Sequence, residues 1–257
     1  MLGVALFALS LLTSPAMAED VTLKAADGAK LHAVYEAAAK PRSGVVLVHM
    51  LGRDSGDWRF LADKLKAQGV SSVAVDLRAH GGSATEGQTP TDADFAAMHN
   101  DVRAAVQLLK DKGIQDIAIL GASIGANLAL TVAAEDPAIT SLVLLSPGMD
   151  YKGISIEGAL ETYGERPLLT VVSKDDRYSA KTGLWIDSQA RGYHELEIFE
   201  SAGHGTRMLN KAPSLEPMVI SWLLGSYRLK DAGTGKASLQ AGDQTKLETT
   251  GQTLDER

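Results

Sequence analysis

The sequence predicts an α/β fold, a mostly parallel sheet with helices on both faces. Three observations predict it. Short apolar runs alternate with stretches of helical spacing along most of the chain. Runs such as Val45–Val48 are continuously apolar, the pattern of strands buried on both faces. The run Ile117–Leu120 enters a Gly-x-Ser-x-Gly turn at residues 121–125, and an Ala/Leu-rich helical run leaves it.

Taken in order, Val21–Leu23 and Leu31–Tyr35 alternate around Asp27-Gly28 and predict an opening hairpin. Lys40–Gly44 is a loop before the Val45–Val48 strand. The loop His49–Asp57 carries Gly52. Trp58, Leu61, Ala62 and Leu65 have helical spacing, and Gly69 stops that helix. Ser72–Val75 is the next strand, followed by the polar turn Asp76–Ser83. Thr91 or Asp92 is expected to cap a long helix ending near Lys112-Gly113. After the serine turn the helix stops before Asp136-Pro137. Ser141–Leu145 and Leu168–Val172 are strands, Ala180–Ala190 is helical, His194–Phe199 is the last strand, and Val219–Leu224 belongs to the last helix.

A chain of 257 residues, 45% hydrophobic and 22% charged, suits one α/β domain with a large core. A net charge of −7 with no Lys/Arg run argues against nucleic acid as a partner. Met1–Ala18 has no charged side chain, holds the apolar run Leu2–Leu12, and ends in Ala16-Met17-Ala18, an A-x-A cleavage pattern. It reads as a signal peptide lacking a basic start, too short to be a membrane anchor. The competing reading, a buried N-terminal helix, is the weaker. Export without any cysteine points to a bacterial periplasm or medium and to a fold held by its core alone. The expected organisation is therefore a signal peptide over 1–18, a domain over 19–228 and a polar tail over 229–257, read as disordered.

The turn at 121–125 carries the chemistry. A serine on a tight strand-to-helix turn sits in strained backbone, and residues two places to either side crowd one another. Gly121 and Gly125 remove the Cβ atoms that would clash. Ser123 would then stand at the mouth of a helix, whose free N–H groups and dipole favour negative charge. Alone, such a motif arises by chance often enough to be an even bet. A serine hydroxyl also needs a base, and the base needs a carboxylate to fix its tautomer. Both are expected in loops beyond strand ends. After Leu168–Val172 come Asp175 and Asp176; after His194–Phe199 comes His204, between Gly203 and Gly205. Being adjacent, the two aspartates cannot both face His204, and the other is expected to be solvated.

Attack on an ester carbonyl also needs N–H donors for the oxyanion. One is expected from Ile124, directly after the nucleophile. The other is expected from the loop after Val45–Val48, at Leu51. His32 is expected to face solvent, His49 to brace its loop, and His80 to stabilise its turn. No histidine spacing suits a metal and no glycine-rich cradle suits a nucleotide, so no cofactor is inferred.

At this point the chain resembles the α/β-hydrolase superfamily over roughly Val21–Tyr227. The resemblance rests on the strand ending in His49 with Gly52 after it and on the turn Asp76-Leu77-Arg78-x-His80-Gly81-x-Ser83. It rests also on Gly121-x-Ser123-x-Gly125, the late acidic loop, and Gly203-His204. It implies Asp176 as the acid, because the family closes a Gly-x-x-Asp stretch there and Ser173-Lys174-Asp175-Asp176 matches with Ser for Gly. Met50 departs from the glycine common in the family at that place. Many relatives insert a helical cap where only residues 146–167 intervene, so at most one or two short helices and an open cleft are expected. Tyr151, Ile154, Ile156, Leu160 and Tyr163 either line an acyl or alcohol pocket there or pack onto the sheet.

The function expected is that of an exported serine hydrolase, first of all a carboxylesterase for small or medium acyl esters. Ser123 would be the nucleophile, His204 the base and Asp176 its orienting acid, through an acyl-enzyme. Thioesterase, peptidase or acyltransferase activity from the same triad is the alternative, with a non-catalytic binding protein of the same fold behind it. The expected partner is a small-molecule ester; the oligomeric state is left open.

Overall fold

A computed structural model describes residues 18–228 of the chain. The predicted leader, save Ala18, and the tail 229–257 lie outside the described residues.

Strands β1 (Glu19–Lys24) and β2 (Lys30–Glu36) form the opening antiparallel hairpin. β3 (Ser43–Val48), β4 (Val70–Val75), β5 (Ile117–Ala122) and β6 (Ile139–Leu145) follow. A small separate hairpin of β7 (Asp150–Tyr151) and β8 (Ile154–Ser155) precedes β9 (Leu168–Ser173) and β10 (His194–Phe199). The main sheet has eight strands in the order β1-β2-β4-β3-β5-β6-β9-β10. β2 is antiparallel to both neighbours, and every pairing from β4 to β10 is parallel. The helices are α1 (Arg59–Ala67), α2 (Asp92–Asp111), α3 (Ile124–Glu135), α4 (Glu157–Tyr163), α5 (Arg177–Gln189), α6 (Met208–Lys211) and α7 (Leu215–Leu223).

Successive residues of a strand point to opposite faces, and here both faces are apolar. Val46 and Val48 of β3, with Ile117 and Ile119 of β5, face one core beneath α2, α3 and α4. Val45 and Leu47, with Ala118 and Leu120, face the other, beneath α1, α6 and α7. All eight of these side chains are buried. The continuous apolar runs are thus explained by a sheet covered twice. Thr91, one of the two candidates, caps α2 through a reciprocal pair with Asp94.

Residues 146–167 hold one short helix, α4, within the one or two expected, and a hairpin that the sequence does not announce. Its turn is Lys152-Gly153, both left-handed, with φ of 57° and 85°. A two-residue hairpin of this type is usually marked by Asn-Gly or Asp-Gly. Here the polar partner is displaced to Asp150, whose carboxylate accepts the Gly153 N–H at 2.8 Å. Of the residues assigned either to a pocket or to packing, Ile156, Leu160 and Tyr163 are buried in the core beside α3. Tyr151 and Ile154, on the hairpin, are partly buried and pack against the edge of the same core.

The far end of α3 is fastened by Arg166. Its guanidinium donates to the carbonyls of Ala133 (2.7 Å), Ile139 (2.8 Å), Asp136 (3.0 Å) and Tyr163 (3.1 Å), and lies 4.2 Å over the Tyr163 ring. A planar fork of donors suits such a convergence of carbonyls, and the cation opposes the negative end of the helix.

Candidate active site

β5 delivers Ser123 at the start of α3. The residue has φ 55° and ψ −122°, a conformation seldom adopted by a side-chain-bearing residue. Crowding explains the two glycines. A Cβ on Gly121 would lie 2.1 Å from the Gly125 carbonyl oxygen, and one on Gly125 would lie 2.4 Å from that of Val48. The serine occupies the cap position of α3, yet its side chain makes no capping bond. Its hydroxyl is therefore not consumed by the helix. Ile124 is the first residue of α3, so its N–H has no carbonyl one turn back within the helix.

α5 positions the acid. Asp176 is its N-cap, with Oδ1 accepting the Ser179 N–H at 3.4 Å. The other oxygen, Oδ2, lies 2.6 Å from His204 Nδ1. One carboxylate thus starts a helix and fixes an imidazole. Asp175 is exposed as expected, but it is not idle. It accepts from Gly203 N–H (3.1 Å), the Ser201 hydroxyl (3.2 Å) and the Ser173 hydroxyl. The Ser173 bond, then those of Gly203 and Ser201, hold its carboxyl below the usual range. The two aspartates divide the work, one on the imidazole and one on its loop.

Other residues that the sequence does not single out tie that loop down. Ser146, at the end of β6 and left-handed at φ 52°, accepts the Gly205 N–H at 2.9 Å. Thr206 donates to Asp57, and Asp57 also holds Arg53 at 2.9 Å. The loop after β3 and the loop after β10 are therefore one connected rim. Leu51, on the first of these loops, is exposed. The loop is braced by His49, as expected. This histidine is fully buried, with Nδ1 bonded to the Met50 carbonyl at 2.8 Å and Nε2 accepting the Leu77 N–H at 3.0 Å. Burial lowers its pKa to about 4. His80 bonds the Arg78 carbonyl at 2.9 Å and steadies its turn. His32 departs from expectation. It is half-buried and bonds Asp76 at 2.8 Å and Asp20 at 3.0 Å. Asp76 draws it in because this buried carboxylate also gathers the N–H groups of Ser55 and Gly82, at 2.6 and 2.7 Å. Burial lowers the His32 pKa, but the two carboxylates outweigh it and the net shift is upward.

The structure brings Asp176 and His204 together directly. Among the described residues no hydrogen bond runs from the Ser123 hydroxyl to His204. The Tyr151 hydroxyl lies 3.2 Å from Ser179 Oγ, while its ring stands edge-on to the His204 imidazole at 6.3 Å. Among the described residues no cluster of three or more His, Cys, Asp or Glu side chains is grouped to hold a metal.

The sheet order, with a left-handed serine between β5 and α3, defines an α/β-hydrolase. Residues 39–204 match the family described as serine aminopeptidase, S33, and the chain belongs to that family. No curated protein sequence matches the chain. Solved structures share the fold. The dienelactone hydrolase from Anabaena variabilis is 17% identical with a TM-score of 0.66, covering 82% of this chain and 98% of its own. An esterase from Pyrococcus furiosus is 18% identical with a TM-score of 0.65, covering 81% and 92%. An esterase from Exiguobacterium antarcticum is 15% identical with a TM-score of 0.63, covering 80% and 100%.

Proposed function

We propose that this hydrolase is an exported serine carboxylesterase acting on small or medium acyl esters. The observation that carries the reading is the Asp176–His204 pair at 2.6 Å beside a strained serine whose hydroxyl is left uncapped. Ser123 attacks the ester carbonyl, and His204 takes the proton of its hydroxyl. Asp176 holds the imidazole in the tautomer that accepts it and stabilises the cation that results. The N–H groups of Ile124 and Leu51 hold the oxyanion. His204 returns the proton to the leaving alcohol, and water repeats the sequence on the acyl-enzyme. Activity falls on the acid side as the imidazole becomes protonated.

Export rests on the uncharged leader and the Ala16-Met17-Ala18 pattern. Among the described residues no helix is long and apolar enough to cross a membrane. The name of the matched family favours amino-acyl amides as a second substrate class, so these belong beside nitrophenyl esters and thioesters in the assay.

A fluorophosphonate probe tests the reading. It should label the protein at Ser123, and Ser123→Ala should abolish both labelling and ester turnover. Spectra of protein recovered from an exporting bacterium should begin at Glu19. Labelling that persists without Ser123 sinks the assignment, and a retained leader sinks export.

A further inference from the structure

Two rim loops carry parts of the proposed chemistry, and one carboxylate ties them together. The loop after β3 holds Leu51, the proposed second oxyanion donor. It turns tightly there: the Arg53 N–H donates to the Met50 carbonyl at 3.1 Å, and Gly52 is left-handed at φ 71°. The loop after β10 holds His204, with Thr206 two residues further on. Asp57 closes the first loop and reaches the second. Its carboxylate accepts from Arg53 Nε at 2.9 and 3.0 Å, from Arg53 Nη2, and from the Thr206 hydroxyl.

Asp57 is itself fixed. It belongs to a 3₁₀ turn, Ser55–Trp58, seated at both ends. The Ser55 N–H donates to the buried Asp76 carboxylate at 2.6 Å, and Trp58 is fully buried. The Asp57 side chain is 7% exposed, against 49% for Arg53. An ion pair on open surface holds little; a carboxylate withdrawn from water, with a guanidinium fork and a hydroxyl on it, holds its geometry. Burial raises the Asp57 pKa, but the bonds from Arg53 and Thr206 outweigh it and the net shift is downward, so the group is charged at neutral pH. Met50 makes an apolar contact between the same two loops: a Cβ on Gly205 would lie 2.7 Å from its sulfur. Met50 thus keeps the loops from closing, and Asp57 keeps them from parting.

We propose that Asp57 is a positioning residue for the reaction, holding the Leu51 turn through Arg53 and the His204 loop through Thr206 at one spacing; this rests on the serine-hydrolase reading above. Asp57 touches neither substrate nor imidazole. Its effect falls on the step in which both loops act at once. As the Ser123 Oγ–carbon bond forms, the proton moves to His204 while the carbonyl electron pair moves to the oxygen that Leu51 must meet. The N–H and the imidazole have to be in register at that moment, and a misplacement of about 1 Å costs on the order of a hundredfold in rate.

Asp57→Asn keeps the shape and gives up the charge that grips the Arg53 fork. Arg53 is half exposed and can return to water, so the fold should survive. For a nitrophenyl ester, kcat should fall roughly ten- to a hundredfold, with KM within about twofold. Thr206→Val removes the donor and leaves the Arg53 pair intact; kcat should fall on the order of tenfold. Thr206→Ser, which keeps the hydroxyl, should recover most of that loss. The double variant Asp57→Asn/Thr206→Val should be little slower than Asp57→Asn alone, because both cut one link. Rates are read well below each protein's melting temperature. An unchanged kcat in Asp57→Asn or Thr206→Val overturns the proposal. So do losses that multiply in the double variant, a Thr206→Ser protein as slow as Thr206→Val, or a rise in KM alone. Absence of turnover in the unchanged chain would instead overturn the hydrolase reading, and the proposal with it.

Discussion

At the scale of single residues, His49 links the site to acidity. Its imidazole is buried and neutral, bonded on both nitrogens, and burial lowers its pKa to about 4 from the ordinary 6.5. Between these values the unfolded chain binds the extra proton, so stability rises with pH across that window. The contribution is fully present above pH 6.5 and is lost as pH falls toward 4. Between pH 7.5 and pH 5 the loss should be on the order of 2 kcal/mol. His49→Gln, which can still donate and accept but cannot titrate in this range, should lose less stability over that interval. Denaturant melts at the two pH values measure it, and parallel losses in both proteins would mean that another group is responsible. Ser123 shows a different economy. Its left-handed backbone costs about 1–3 kcal/mol, tolerated because β5 and α3 are both held by the core.

At the scale of elements, the hairpin of β7 and β8 is closely packed at its base. A Cβ on Gly148 would meet the Tyr178 ring at 2.6 Å and the Tyr151 ring at 2.7 Å. Gly148→Ala should displace both rings and cost about 1–3 kcal/mol of stability by overpacking. A denaturant melt reads the effect; unchanged stability in Gly148→Ala would show that the rings yield without strain. This element also marks the limit of what the sequence tells. The strands of the sheet are legible because both faces bury apolar side chains, and the serine turn because sterics demand its glycines. The hairpin is hidden, since Lys152-Gly153 is a poor signal for a left-handed pair. Spacing does not separate Tyr151 from Ile156 or Tyr163, because only the turn decides which of them is fully buried and which packs at the core's edge. Only the resemblance separates Asp176 from Asp175 in the sequence; the physical signature of Asp176, the cap of α5, requires knowing that α5 begins at Arg177 rather than near Ala180. The bracing by Asp175 crosses 28 residues to Gly203 and leaves no local trace.

At the scale of the whole molecule, the candidate site gathers residues from loops spread between His49 and Thr206. Cross-links join them beyond the strand ends: Asp57 to Thr206, Asp175 to Gly203, and Ser146 to Gly205. Beneath them α3 runs from Ser123 to the Arg166 clamp, so this serine rides on a rod secured at its tail. The Ser146 bond has a consequence for durability. With Gly205 tethered to a core strand, catalysis should fade on warming only as the protein itself melts. Ser146→Ala strands a buried amide at a cost of about 1–3 kcal/mol and frees the imidazole's loop first. In that protein, heat should silence turnover several degrees before the fold gives way; coincident curves would show that the tether is ornamental.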